Sequence, residues 1–238
     1  MNMNTSFRHA LAKAMNRRND ASVPILICTP DQRSPRFQAT LQSVIETTSH
    51  IPIRILVNDN RGDKEFSHAA DINAALDHFG GFLVALDDDV IVYDGWLDAL
   101  LAAVAHDVAF VACSVRRQIG NRPAQDWCSA WCCNMQTGVP TRWWREIAEP
   151  TPVPAMGSCC MLHNLRSRLE LRRRMDYWHY YGDPALCFEA WEYGLKTITV
   201  PAQILHKNYS GQPSENEDYG LIRSIGNALL ARDRETFK

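Results

Sequence analysis

The stretch at 82–97, FLVALDDDVIVYDGWL, constrains this chain more than any other. Five apolar residues run straight into Asp87, Asp88 and Asp89, and a second apolar run follows at once. Short apolar runs bounded by turn-formers are the mark of buried strands. The chain therefore sets three carboxylates side by side at the end of one. Two such charges about 6 Å apart, at an effective dielectric of about 20, repel by roughly 3 kcal/mol. Protonation, a nearby helix N-terminus or a divalent cation would each relieve that repulsion. Oxygen donors favour Mg²⁺ or Mn²⁺. Asp94, just ahead of GWLDALLAAV, has the look of an N-cap for the next helix, which accounts for Asp94 and for none of the triplet.

The segments before the triplet alternate. VPILICT, from Val23 to Thr29, predicts a buried strand. Residues 35–48 carry Phe37, Leu41, Val44 and Ile45 at helical spacing, with Pro35 suited to the first turn. IPIRILVNDN predicts a second strand, Phe66 to Phe79 a second helix stopped by Gly80 and Gly81, and FLVAL a third strand. Strand, helix, strand, helix, strand is the pattern of a parallel α/β sheet. The strands end at Asp31, Asp59 and Asp87 to Asp89. Ligands of open parallel sheets sit outside the carboxyl ends of the strands, so these acids are expected at one crevice, with a plain turn the simpler reading of Asp31.

The second half is less regular. Residues 113–157 mix Arg, Trp, Pro and Gly without a long periodic run. Arg166 to Arg174 predicts a charged helical stretch, Pro184 to Tyr193 a helix closed by Gly194, and KTITVPAQILH a strand around Pro201. Trp96 to Val115 is the longest apolar region, but it contains Asp98, His106 and Asp107, so it predicts a core helix and a strand rather than a membrane span. The first 20 residues lack the apolar centre of a secretory signal, and a cytoplasmic protein, or one peripheral to the membrane, is expected. Several of the 8 cysteines lie in apolar runs, which suits buried free thiols; WCSAWCC and SCC raise zinc binding, but form no CxxC pair. A formal charge of −2 shows no basic excess of the kind nucleic-acid binders carry.

GGFLVALDDDVIVYDGWLDAL resembles the central segment of the family 2-type glycosyltransferases, in which an Asp-x-Asp motif holds a cation and a nucleotide sugar and a W-L helix follows. Other segments match in order. VPILICTPDQRSPRFQATLQSV is similar to that family's first strand, turn and helix. ILVNDNRGD stands where the family has Asp-Asp-Gly-Ser-x-Asp, with Asp59 and Asp63 on the pattern and Asn58 in place of its first Asp. YYGDPALCFEAWEYGLKTITVPAQILH is similar to the Glu-Asp motif, helix, glycine, strand and closing histidine, with Gly182 in place of the Glu and Glu189 in place of an Arg. The match covers roughly residues 22–208.

The resemblance implies the GT-A fold, a Rossmann-like nucleotide-diphospho-sugar transferase architecture: a mixed, mostly parallel central sheet flanked by helices. It implies a single such domain over 22–210; the residues on either side predict a helical extension at 1–21 and a tail at 211–238 with a surface helix from Tyr219 to Ala231. The implied activity is metal-dependent, inverting transfer of a sugar from a nucleotide-sugar donor, a UDP-sugar by default, to a hydroxyl acceptor. On this reading Thr29, Asp59, Asn73, Asp87 and Asp88 face the donor, Asp89 and His206 hold Mn²⁺ or Mg²⁺, and Asp183 is the base. Gly157 and Ser158 admit the acceptor, and Trp143 and Trp144 pack on it or fill the core. The Arg-rich stretch is a solvated face or meets a phosphate-bearing acceptor; a nucleic-acid acceptor is not favoured by the charge. Two other readings keep the fold. A sugar-phosphate nucleotidyltransferase usually has a Gly-rich loop after the first strand, and CTPDQRSPRF has no glycine. A non-catalytic binding module is allowed by Gly182 and opposed by the joint presence of Asp87, Asp89, Asp183 and His206.

Overall fold

A computed structural model describes residues 22–59, 68–79, 81–119, 125–128, 130–133, 140–143, 146–167 and 182–208. The elements are β1 (Val23–Thr29), α1 (Pro35–Thr47), β2 (Ile53–Asp59), α2 (His68–Leu76), β3 (Phe82–Asp87), β4 (Val90–Val92), α3 (Trp96–Ala102) and β5 (Val108–Ile119). They continue with β6 (Gln125–Cys128), β7 (Ala130–Cys133), β8 (Pro140–Trp143), β9 (Thr151–Pro152), β10 (Cys160–Asn164), α4 (Gly182–Glu192) and β11 (Lys196–Asn208). The main sheet runs β2-β1-β3-β10-β5-β11-β4, with β6 on β5 and β9 on β11, while β7 and β8 form a separate hairpin. Strands β2, β1, β3, β5 and β11 run one way, and β10 and β4 run against them.

Alternating side chains divide the core between the two faces of the sheet. Ile25, Ile27, Val84 and Leu86 pack with Phe37 and Val44 of α1 and with Trp96, Leu97 and Leu100 of α3. Leu26, Cys28, Leu83 and Ala85 pack against Ile72, Ala75 and Leu76 of α2. Further along, Phe110, Ala112 and Met161 meet Leu186, Cys187 and Ala190 of α4. Both faces are covered by helices, which is why β1 is buried along its whole length and its sequence is an unbroken apolar run.

Local chemistry sets the ends of the helices. Ser34 caps α1, its Oγ accepting the Phe37 N–H at 3.3 Å, with Pro35 in the first turn as expected. Of its expected apolar stripe, Phe37 and Val44 are buried, Leu41 packs at the margin and Ile45 is exposed. Asp94 does not cap α3. The N-cap is Gly95, at φ 79°, with no side-chain hydrogen bond. Its left-handed backbone turns the chain directly into Trp96, which leaves the carboxylate of Asp94 one position too early. Trp96 is fully buried and its indole N–H donates to Thr47 Oγ1 at 3.0 Å, pinning α3 to α1. Trp96→Ala is expected to cost about 3–5 kcal/mol of stability. In urea unfolding the midpoint should fall with little change in slope.

The stretch without periodicity at 113–157 contains the far half of β5 and strands β6 to β9. Their signal is weak because they are short and their pairing shifts register, as between Arg116 and Arg117 against β6. β11 carries an irregularity between Val200 and Gln203 where it pairs with β5, and Pro201 falls inside it, a position at which a ladder N–H is not required. Helix α2 ends at Leu76 rather than reaching Phe79, and Phe66, Ser67 and Gly80 lie outside the described residues. Cys28, Cys113, Cys159, Cys160 and Cys187 are buried, whereas the side chains of Cys128, Cys132 and Cys133 fall outside the described set. So do 1–21, most of the Arg-rich stretch and the tail beyond 208. Among the described residues no helix is long and apolar enough to cross a membrane.

Candidate active site

The carboxyl ends of β1, β2 and β3 are level. Thr29 is the register partner of Asp59, and Cys28 pairs with both Asn58 and Asp87. After Asp87 the chain turns through Asp88 and Asp89 and comes back as β4, on the far side of β11. That turn is closed by the Lys207 N–H, which donates to the Asp89 carbonyl at 2.8 Å. The aspartate turn thus joins β3 to the opposite end of the strand order, and β10, β5 and β11 lie between.

The three aspartates take different surroundings. Asp89 Oδ1 lies 3.0 Å from His206 Nε2, and the side chains are 16% and 27% exposed. Ligand atoms from Asp87, Asp89 and His206 all lie within 4.8 Å of one another. Asp88 is engaged elsewhere: its Oδ2 accepts the Thr29 hydroxyl at 2.6 Å and Arg36 Nε at 3.0 Å. The turn separates the roles: the outer two acids converge with the histidine and the middle one anchors the turn to β1. Burial raises the Asp88 pKa by more than the Thr29 hydroxyl and the Arg36 charge lower it. Thr29→Val would leave this buried carboxylate one donor short, and is expected to destabilise the fold by about 1–3 kcal/mol, read from urea unfolding.

At His206, burial opposes the charged imidazole. The hydrogen bond and charge of Asp89, with the charge of Asp87, outweigh burial and the opposing charge of Arg117, and the pKa is raised. The pocket therefore draws positive charge. Two carboxylates and an imidazole, half-buried and close together, fit a divalent cation of the Mn²⁺ or Mg²⁺ kind.

Asp183 stands in the first turn of α4, and its Oδ2 accepts the Ser158 N–H at 2.9 Å. The next residue, Cys159, accepts the Asp87 N–H on its carbonyl at 3.0 Å. Two consecutive residues thus link Asp183 to the triplet, and an extended pair spans at most about 7 Å. Burial raises the pKa of the Cys159 thiol far above the ordinary thiol value, and the charges of Asp87, Cys160, Asp89 and Asp183 add to the effect.

Of the residues singled out from the sequence, Asp87, Asp89, His206, Asp183, Gly157 and Ser158 come together at this end of the sheet. Thr29 and Asp88 are bonded to each other beneath it. Asp59 ends β2 two strands away from Asp87, and Asn73 is half-buried on α2. Asp31 forms a turn, accepting the Arg33 N–H at 2.9 Å. The side chain of Trp143 and all of Trp144 lie outside the described residues. Sequence reasoning missed Arg36 and Arg117; the only sequence signal for the second is a charged pair inside the otherwise strand-like FVACSVRRQI.

No protein-family profile matches the sequence, and no curated protein matches it. Solved structures do. The structure of S. aureus TarS 1–349 superposes with a TM-score of 0.50 at 11% identity, covering 86% of this chain and 64% of that one. The chain thus spans less than two thirds of that TarS fragment. A197 from STIV matches at a TM-score of 0.48 and 13% identity, over 80% of this chain and 96% of that one. An inositol-1-phosphate CTP transferase from T. maritima matches at 0.43 and 9%, over 87% and 97%. Likeness at such identities is likeness of fold, and the fold of this chain is that of the nucleotide-diphospho-sugar transferases, a mixed and mostly parallel sheet between helices.

Proposed function

We propose that this protein is a metal-dependent glycosyltransferase that moves a sugar from a nucleotide-diphospho-sugar to a hydroxyl acceptor with inversion at the anomeric carbon. The observation that carries the reading is the meeting of Asp87, Asp89 and His206 within 4.8 Å at the carboxyl end of the sheet, tied through Ser158 and Cys159 to Asp183. Asp89 and His206, with Asp87 beside them, would hold a divalent cation, which would supply Lewis-acid stabilisation to a leaving diphosphate.

The chain's own residues account for the rest. Asp183 takes the proton of the acceptor hydroxyl. The acceptor oxygen forms a bond to the anomeric carbon as the bond to the diphosphate breaks, and the nucleoside diphosphate leaves. One displacement from the opposite side inverts the anomeric centre. The Ser158 N–H holds the Asp183 carboxylate in place before the acceptor arrives. Gly157 next to it has no side chain to block close approach. A positioned base of this kind contributes about 10²–10⁴-fold.

The test is the identity of the released product. The protein is incubated with UDP-, GDP-, ADP- and TDP-sugars and Mn²⁺, and nucleoside diphosphate release is followed with and without chelator. Parallel reactions contain nucleoside triphosphates and sugar phosphates. Metal-dependent release of a nucleoside diphosphate from one donor is the expected result. Release of inorganic diphosphate from a triphosphate would instead make the protein a nucleotidyltransferase, and no turnover of any compound would support a binding module.

A further inference from the structure

Arg117 lies on β5 directly beside His206, the two being register partners on parallel strands. Register partners on neighbouring strands sit about 4.8 Å apart and send their side chains to the same face. His206 in turn pairs with Val90, the residue after Asp89. A row therefore crosses three adjacent strands, from the aspartate turn through His206 to Arg117. The Arg117 charge is felt at His206, where it opposes protonation. Arg117 also sits at the register shift between β5 and β6, and such irregularities re-aim side chains at the rims of sheets.

The Nε of Arg117 is buried and has no hydrogen-bond partner. Among the described residues Arg117 forms no ion pair, and Asp89, just ahead of Val90 in the chain, is engaged by His206. A buried guanidinium N–H left unbonded is costly, and a planar fork of donors suits the oxygens of a phosphate. A cation at the carboxylates and a guanidinium one strand further on would place positive charge on two sides of one anion.

We propose that Arg117 grips the phosphate group of the donor alongside Asp87, Asp89 and His206, an assignment that rests on the donor class proposed above. Its role is to bind the leaving diphosphate, and the aspartates and His206 need it neither for folding nor for holding metal.

Inorganic diphosphate is the probe, because it does not depend on which base or sugar the donor carries. Isothermal titration of Mn²⁺ alone, and then of diphosphate with Mn²⁺ present, compares the wild type with Arg117→Gln and Arg117→Lys. Unfolding midpoints without ligand verify that each variant folds. In Arg117→Gln, Mn²⁺ alone should bind as tightly as in the wild type or tighter, since a like charge has gone. Diphosphate should bind about 10- to 100-fold more weakly. Arg117→Lys keeps the charge but not the fork and should fall between the two. Undiminished diphosphate affinity in Arg117→Gln would overturn the assignment and leave the donor reading standing. Parallel loss of Mn²⁺ and diphosphate would make Arg117 part of the site's scaffold, again overturning it. A wild type that binds Mn²⁺ but no diphosphate would remove the donor reading and this assignment with it.

Discussion

Asp183→Asn is expected to lower turnover by about 10²–10⁴-fold while leaving donor binding and the fold unchanged. The substitution is chosen for what it preserves. The amide oxygen of asparagine can still accept the Ser158 N–H, so the link from α4 to the 157–160 segment survives. Asparagine also remains a good residue at the start of a helix, ahead of Pro184. What it cannot do is take a proton. The measurement is steady-state glycosyl transfer together with donor affinity. A fall in kcat at unchanged affinity supports Asp183 as the base. Full activity in Asp183→Asn, with loss in Asp183→Ala, would mean that the carboxylate only anchors the loop.

Asp89→Ala is expected to abolish metal-dependent donor binding. Asp89 contributes to the cation group and holds His206 at 3.0 Å, so one substitution removes a ligand atom and releases another. Partners that merely orient ligands carry about 10–100-fold in metal affinity, and the loss of a ligand should exceed that. In the wild type, donor at about 100 times its dissociation constant adds about 2.7 kcal/mol of stability, and in Asp89→Ala that gain should vanish. The local backbone gives a reason to expect a folded variant: the Lys207 N–H bonds to the Asp89 carbonyl, which alanine retains. Thermal unfolding with Mn²⁺, with chelator and with each donor makes the measurement. Equal stabilisation of both proteins would show that the acidic turn does not bind the donor through metal.

The two predictions rest on residues legible to different degrees. The aspartate triplet and the strand before it stand out in FLVALDDD, because a buried parallel strand must be continuously apolar and three charges interrupt it at once. The alternation of strands and helices up to Asp89, the proline in the first turn of α1 and the glycine that ends α4 at φ 74° were likewise legible, since each follows from local spacing or from a backbone preference. His206 and Asp183 were singled out through their order along the chain. Neither has a local signal that distinguishes a ligand from a core histidine, or a base from a cap.

Tertiary structure decided how the three acids divide. The resemblance grouped Asp87 with Asp88 and set Asp89 apart; the turn sends Asp88 to Thr29 and Arg36 and brings Asp87 together with Asp89 and His206. It also decided that Ser158 and Cys159 bridge Asp183 and Asp87, and that Arg117 flanks His206 across a strand pair separated by 89 positions in the chain (206 − 117). Order, composition and local spacing determined that this chain builds a parallel α/β core with an acidic edge. Which of those acids meet one another was determined by strand pairing between distant segments. Such pairing depends on the packing of the whole sheet, and no short window of sequence contains it.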